Sequence, residues 1–380
     1  MISFDFTEEQ GLFRQQVRRF VEAEIKPVSR QIDDAGEFPL NLFRKMGELG
    51  FFALRYPEEF GGMEAGAITL AILLEELAQG NLSLAAACQM QCLMGTDFIF
   101  RFGTADQRER LLHPALRGEK LGGICMTEPN AGSDLGAIQT RAIKKGNQWI
   151  LNGTKTWVTS GPHADFFSVA AKTNPDAGFK GIDIFLVEKG TPGLTISKSI
   201  PKLGLRSTST AELAFDDCAV PEENLLGEQG TGFANLGKLL NEIRLQTGAL
   251  ALGLAQAAYK DALRYANERS AFGKPISQFQ AIAFKLADMA MDIESARLHV
   301  YRTAWLIEQQ KSCIKEAAIA KLIATEVANS VADQAMRIYA SYGFSMEYDV
   351  QRYFRDARFL LLGGGTSEIL RGVIARELRP

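Results

Sequence analysis

The stretch Phe279–Val300, FQAIAFKLADMAMDIESARLHV, decides how the rest of the chain is read. Phe279, Ile282, Leu286, Met289, Ile293, Ala296 and Val300 step by three and four without a miss, which places them along one face of an α-helix. A stripe of this kind is usually a bundle core and occasionally an oligomer seam. The same periodicity runs from Gly232 almost to the carboxyl end. Short breaks divide it into helices over roughly 234–267, 276–310 and 314–341, the lengths an antiparallel bundle requires.

Toward the amino terminus the texture changes. Between about Leu121 and Asn224 short runs rich in branched and aromatic residues replace the helical pattern. Gln148 to Leu151, Thr156 to Thr159, Phe166 to Ala171, Ile182 to Val187, Leu194 to Ser197 and Ala211 to Phe215 read as strands. Asn152-Gly153, Asn174-Pro175-Asp176-Ala177-Gly178 and Thr191-Pro192-Gly193 read as turns between them. No long helix intervenes, so an antiparallel sheet or barrel is expected rather than βαβ units. From Thr7 to about Gly118 helical stripes return, such as Leu12, Val17, Phe20 and Val21, broken into four to six helices. The expected fold is therefore α+β in three parts: a helical domain over 1–120, a β-domain over 121–230 and a helical bundle over 231–380.

Composition narrows the function. The chain has 380 residues, 46% hydrophobic and 23% charged, which suits folded domains and not a disordered protein. Forty-two basic against 45 acidic residues leave a formal charge of −3, without the basic footprint of a nucleic-acid binder. Five cysteines without a CxxC pair, and three scattered histidines, offer neither a disulfide framework nor a metal site. The amino-terminal MISFDFTEEQ lacks the pattern of a signal peptide. No apolar run approaches the roughly 20 residues that span a bilayer, so a soluble cytoplasmic protein is expected. There is no GxxxxGK[ST] loop, no Rossmann glycine fingerprint after a strand, and no GxSxG elbow with a fitting histidine.

Four segments stand out together. Thr127-Glu128-Pro129-Asn130-Ala131-Gly132-Ser133-Asp134 offers hydroxyls and small residues, and Trp157-Val158-Thr159-Ser160-Gly161 sets an indole beside a hydroxyl. Glu268-Arg269-Ser270-Ala271-Phe272-Gly273 ends a helix with a cation suited to an anionic group. Gly363-Gly364-Gly365-Thr366-Ser367-Glu368-Ile369 is a glycine run whose free amides open a helix. Taken singly, each has a plain structural reading: a loop, a packed indole, a solvated helix end. Their joint occurrence, in this order, points elsewhere.

TEPNAGSD, WVTSG, ERSAFGKPISQFQ, RDAR (Arg355 to Arg358) and GGTSEI form an ordered set by which the chain resembles the acyl-CoA dehydrogenases along essentially its whole length. The resemblance implies a helical domain, an antiparallel β-barrel and a four-helix bundle, assembled as a homotetramer with FAD between barrel and bundle. It implies that Met126, Thr127, Gly132 and Ser133 cradle the flavin, with Trp157 beside its ring and Thr159 near N5. Arg269, Phe272 and Gln280 would contact FAD from a partner subunit, and Thr366, Ser367 and Glu368 would close around the cofactor. Ser133, Asn241, Arg244 and Gly365 match positions that meet the thioester. The electron acceptor would be a partner protein or oxygen.

Family members desaturate an acyl thioester between Cα and Cβ: a carboxylate removes the α-proton while a hydride leaves Cβ for the flavin. The thioester's carrier in the family is CoA or a carrier protein. The base glutamate stands in most members immediately before Gly-Thr-Ser, and in another subgroup directly before the arginine matching Arg244. Here those positions hold Gly364 and Ile243. Glu242 adjoins the second, although one residue is a turn of about 100° on a helix. A group near Gln91 or Asp97 is an alternative base. Hydroxylation, elimination or a non-catalytic binding role would need none. A second departure is Arg337-Ile338-Tyr339-Ala340-Ser341, where relatives carry a glutamine and a pair of glycines. Arg337 could meet the cofactor's pyrophosphate there.

Overall fold

The computed structural model describes residues 5–379, so the first four residues of the stretch read for a leader lie outside the described residues. The amino-terminal part holds α1 (Glu8–Phe20), α2 (Ser29–Ala35), α3 (Leu40–Glu48), α4 (Ala67–Gly80), α5 (Leu82–Gln89), α6 (Asp97–Phe102) and the short α7 (Ala105–Gln107) and α8 (His113–Leu116). Thr7 caps α1, and Gln10 reaches back to it. Helix α4 is buried on nearly every side, because it runs between α1 and the carboxyl-terminal helices. Its Glu75 and Glu76 are consequently interior. Arg297 Nη1 lies 2.5 Å from Glu75, and Arg14 and Arg18 lie 2.6 and 2.8 Å from Glu76. Buried carboxylates persist only when paired in this way.

The central part is a seven-stranded sheet made of β1 (Gly122–Cys125), β2 (Arg141–Lys145), β3 (Gln148–Thr159), β4 (Phe166–Lys172), β5 (Ile182–Glu188), β6 (Leu194–Ile196) and β7 (Thr210–Pro221). Its order is β1-β4-β2-β3-β7-β6, with β5 on β4. The expected antiparallel pairing holds for β2–β3, β3–β7, β4–β5 and β6–β7, whereas β1 runs parallel to β4 and β2 touches β4 in parallel at Arg141 and Lys172. The β2–β3 hairpin occupies the connection between β1 and β4, so those strands meet without a tight turn.

Asn152-Gly153, expected as a turn, lies inside the continuous β3. A register shift occurs there against β7, and Gly153 adopts φ 146°. A Cβ at Gly153 would come within 2.5 Å of Thr140 Oγ1, so the backbones are too close for any other residue. The hairpin turn is instead Gly146-Asn147, between Lys145 and Gln148.

The carboxyl-terminal part is built on α9 (Gly232–Glu268), α10 (Gln280–Glu308) and α11 (Ile314–Tyr339), with a two-stranded turn of β8 (Ser270–Ala271) and β9 (Lys274–Pro275) between the first two. Shorter α12 (Val350–Leu360) and α13 (Ser367–Glu377) follow. The quoted stripe is the buried face of α10: Leu286, Met289, Ile293, Ala296 and Val300 are all interior. A second row, Phe284, Met291, Leu298 and Trp305, recurs every seven residues on the exposed side. One hydrophobic core joins all three parts. Among the described residues no helix is long and apolar enough to cross a membrane.

Candidate active site

Ile243 and Gly364, the two positions to which the resemblance assigns a base, adjoin one another. Gly364 lies in the loop between α12 and α13 at φ +73°, where a Cβ would stand 3.5 Å from Ile243 Cγ2 and 3.4 Å from Thr247 Oγ1. Ile243 and Thr247 are one helical turn apart on α9 and share that face. Thr247 donates its hydroxyl to the Ile243 carbonyl at 2.8 Å. Gln89, at the end of α5, donates to the same carbonyl at 3.3 Å and to Thr247 Oγ1 at 3.2 Å. The result is a buried apolar wall at Ile243, tied by amide and hydroxyl groups, with open backbone at Gly364 facing it.

The charges around this wall are positive. Arg244 is only 7% exposed, and no hydrogen bond or ion pair joins it to any described residue; its Nε is sealed from solvent without an acceptor. Burial, and then the neighbouring Arg376, push it below the ordinary arginine range. Lys321, fully buried on α11, donates from Nζ to the Gly365 carbonyl at 2.8 Å and so props the glycine loop from below. Burial pushes its amine down to about 8 against the pull of Glu326.

The neighbouring acids are already engaged. Arg55 Nη2 lies 2.9 Å from Glu242, and Arg55 Nη1 lies 2.8 Å from Asp97. Arg101 closes the ring at 2.8 Å from Asp97 and 3.8 Å from Glu242. Burial opposes the charge on Arg55, yet Glu242 and Asp97 raise its pKa. Gln91 donates to the carbonyls of Ala115 and Lys120 and accepts from Gly122 N, which pins β1 to the helical domain. Sequence alone did not expose the Arg55 partnership, because Arg55 and Glu242 stand 187 positions apart.

At the edge of the sheet, Met126 and Thr127 follow β1, and the Thr127 carbonyl accepts from Thr156 N at 2.8 Å. Glu128 turns inward to Lys155 Nζ at 2.8 Å and to the amides of Gln139 and Thr140 at 2.6 and 2.9 Å. Lys155 Nζ also donates to the Met126 carbonyl at 3.1 Å. A second register shift in β3, between Lys155 and Val158, puts Trp157 at φ +58° and throws its indole outward, 57% exposed. Thr159 is half-buried beside it, Gly132 and Ser133 are exposed, and nothing lies within 4 Å of a Cβ built on Gly132. An outward indole, flanked by hydroxyls and free backbone with room around it, suits a flat heteroaromatic ring such as a flavin.

The remaining expected contacts fall into two groups. Gly365, Thr366 and Ser367 stand with Gly364: Thr366 caps α13, Ser367 donates to Glu326 at 2.8 Å, and exposed Glu368 lies in the first turn. Half-buried Asn241 precedes Glu242 on α9. Arg269, Phe272, Gln280 and Arg337 gather at the other end of α9, about 37 Å from Arg244 at 1.5 Å per residue. There Arg269 stacks on Tyr342 at 5.6 Å, Phe272 is 95% exposed, Gln280 opens α10, and Arg337 pairs with Asp333 at 2.7 Å. Ala340 holds φ +52° and ψ −131°, a sparsely populated conformation that costs a side chain roughly 1–3 kcal/mol.

A helical–β–helical scaffold, with an exposed indole at the sheet edge and a buried, positively charged wall on α9, suits a flavoprotein oxidoreductase. The acyl-CoA dehydrogenase N-terminal, middle and C-terminal domain families match residues 7–119, 123–218 and 230–379, and the chain belongs to the acyl-CoA dehydrogenase family, whose cofactor is FAD. It is 51% identical over 378 residues to a benzylmalonyl-CoA dehydrogenase of Aromatoleum aromaticum, covering 99% of this chain and 100% of that one. Butyryl-CoA dehydrogenase from Megasphaera elsdenii superposes with a TM-score of 0.96 at 38% identity, over 99% of this chain and 100% of that one. A chain from a structure of the electron transferring flavoprotein of Acidaminococcus fermentans superposes with a TM-score of 0.97 at 38% identity over the whole of both.

Proposed function

We propose that this protein is an FAD-dependent dehydrogenase of an acyl-CoA whose Cα carries a carboxylate, and that departure of this carboxylate as CO2 replaces removal of the α-proton. One observation carries the reading: Ile243 and Gly364, where the resemblance puts the base, hold no acid, and a Cβ on Gly364 would stand 3.5 Å from Ile243. Glu242, the weak sequence candidate for a non-standard base, is bound by Arg55 and Arg101. The relative at 51% identity is named for benzylmalonyl-CoA, a malonyl thioester with a carboxylate on Cα.

In such a substrate the electrons of the Cα–carboxylate bond pass into the thioester carbonyl as CO2 leaves, giving the same enolate that proton removal gives. A hydride then leaves Cβ as the double bond forms. One CO2 and one hydride depart, which balances the carboxylate's charge while the proton on Cα stays in place. FAD, when bound, supplies the acceptor for that hydride, held by Met126, Thr127, Ser133, Trp157 and Thr159 and closed in by Thr366–Glu368. Ile243 keeps water from Cα, and an apolar wall favours release of neutral CO2 from a charged carboxylate. Gly364 leaves free the space in which relatives keep their own carboxylate.

The active unit we propose is a homotetramer that passes electrons to an electron-transferring flavoprotein. The exposed row Phe284, Met291, Leu298 and Trp305 supplies an apolar seam. The distance of Arg269, Phe272, Gln280 and Arg337 from the pocket is what contacts to a neighbour's FAD would need. The test is anaerobic mixing of holoenzyme with benzylmalonyl-CoA and, separately, with 3-phenylpropionyl-CoA, its analogue lacking the carboxylate. Bleaching of the flavin with equimolar CO2 from the first and none from the second is expected. Equal bleaching by the second without CO2 would overturn the reading in favour of a protein base; no bleaching by either would favour a non-catalytic homologue.

A further inference from the structure

Most buried and half-buried arginines elsewhere in the fold have anions; half-buried Arg108 lacks one but donates to the Arg101 carbonyl and stacks on Phe60. Arg55 has Asp97 and Glu242, Arg297 has Glu75, Arg355 has Asp33, and Arg352 has Asp349 at 3.6 Å. Arg244 has none among the described residues, although it is 93% removed from solvent. A guanidinium left this way is strongly unfavourable unless something brings it a negative charge. Its surroundings make the deficit worse, since Lys321 and Arg376 add positive potential to the same pocket. Glu326, on the far side of Lys321, is spoken for by Ser367 at 2.8 Å and Arg371 at 3.5 Å.

Position completes the case. Arg244 sits between Ile243 and Thr247 on α9, the two residues that a side chain on Gly364 would meet. Arg244 also shares its charge field with Lys321, whose amine holds the carbonyl of Gly365 next to Gly364. Here the described residues supply no anion to this cation.

We propose that Arg244 receives the α-carboxylate of the substrate and is the residue that selects carboxylated over plain acyl-CoA. This rests on the reading of the substrate given above. A planar guanidinium can take both oxygens of a carboxylate, which fixes the plane of the group as well as its place. Orientation matters because the Cα–carboxylate bond must stand across the thioester carbonyl for its electrons to enter it. The ion pair holds the ground state too, so its loss is expected chiefly in binding and KM rather than in kcat.

The probes are two CoA thioethers that cannot react: S-(2-carboxy-3-phenylpropyl)-CoA and S-(3-phenylpropyl)-CoA. Their binding to FAD-loaded protein is measured by titration calorimetry. The native protein is expected to prefer the carboxylated probe by roughly 10- to 100-fold, the range of a charge-assisted hydrogen-bonded contact. Arg244→Gln is expected to abolish that preference, cutting affinity for the carboxylated probe by about tenfold or more beyond any loss it causes for the plain thioether. A preference that survives Arg244→Gln, or an equal loss for both probes, overturns the assignment. No preference in the native protein overturns the substrate reading along with it, which separates the two failures. Should the glutamine variant fail to fold, Arg244→Lys keeps the charge and loses the fork: a preference reduced several-fold supports the proposal, and an unchanged one overturns it.

Discussion

Lys155→Met removes the cation that Glu128 faces inside the β-domain. Lys155 has no exposed side chain, its Nζ lies 2.8 Å from the Glu128 carboxylate, and it also holds the Met126 carbonyl. Methionine fills much of the same volume, so the change is electrical more than steric. Breaking a buried pair on one side typically costs about 3–5 kcal/mol, because the other charge is left without compensation. Glu128 retains the amides of Gln139 and Thr140, so the lower end, about 3 kcal/mol, is expected.

The two ends of the pair are not shifted alike. Burial would raise Glu128, but Lys155 and the Thr140 and Gln139 donors outweigh it and hold it below the ordinary carboxylate range. Burial outweighs the single carboxylate at Lys155 and lowers its amine. The Glu128 direction is the firmer, resting on three close donors.

The loss should fall on the turn that carries Met126 and Thr127. Weaker FAD retention, and faster amide exchange over residues 126–140, are therefore expected together. The sign with pH follows. A depressed carboxylate stabilises the fold above its unfolded pKa and loses that contribution as pH falls through its folded value. Without Lys155 the buried carboxylate takes up a proton more readily, so the deficit of the variant should shrink toward pH 4. Lys155→Met combined with Glu128→Gln leaves no bare charge and should recover part of the loss. Denaturant unfolding of the native protein, the Lys155→Met and Glu128→Gln single variants and the double variant at pH 7 measures this. A single variant within about 0.5 kcal/mol of the native protein, the size of an ordinary surface substitution, would refute the reasoning.

Gly364→Glu restores an acid opposite Ile243. The contacts of 3.4 and 3.5 Å leave room, and φ +73° adds strain of about 1–2 kcal/mol, so a folded, somewhat less stable protein is expected. It should gain flavin bleaching by 3-phenylpropionyl-CoA; no gain would show that the vacancy is not what bars plain substrates. For Lys321, the unfolded chain binds more protons than the folded one between about pH 8 and 10.5, so native stability should rise across that window. Lys321→Met should lose that rise, on the order of 3 kcal/mol at most, and parallel stability–pH curves would contradict it. Leu298→Glu puts a charge in the exposed row on α10 and should shift the assembled protein to smaller species in light scattering, with unchanged helical circular dichroism.

Periodicity made the long helices legible, because each buries one face over many turns and the pattern has room to repeat. The sheet was harder. Gln148 to Thr159 contains Asn-Gly, a strong local turn signal, yet the chain stays extended through it because Gly153 lets the backbone pass close to Thr140. The parallel meeting of β1 and β4 leaves no local mark, since its partners lie more than forty positions apart. Among the candidate site residues, the motifs and the resemblance pointed to Trp157, Gly364 and Arg244. The surroundings of these residues depend on which distant side chains reach them. Lys155, Gln89, Thr247 and Lys321 looked like ordinary strand or helix residues in the sequence. Their roles come from buried partners, and Arg244 is distinguished by having none.

Helix α9 runs unbroken through 37 residues, with Arg244 about a third of the way along and Arg269 capping its carboxyl end. A rod of that kind transmits phase as well as distance. Inserting a single amino acid between the two arginines would swing one end by about 100° relative to the other and lengthen the span by 1.5 Å. Side-chain identity at Ile243 can drift without disturbing the frame, whereas the count of residues from Arg244 to Arg269 cannot. Length variation should thus be confined to surface connections such as 174–178, and the helix should accept exchanges of chemistry but not of register.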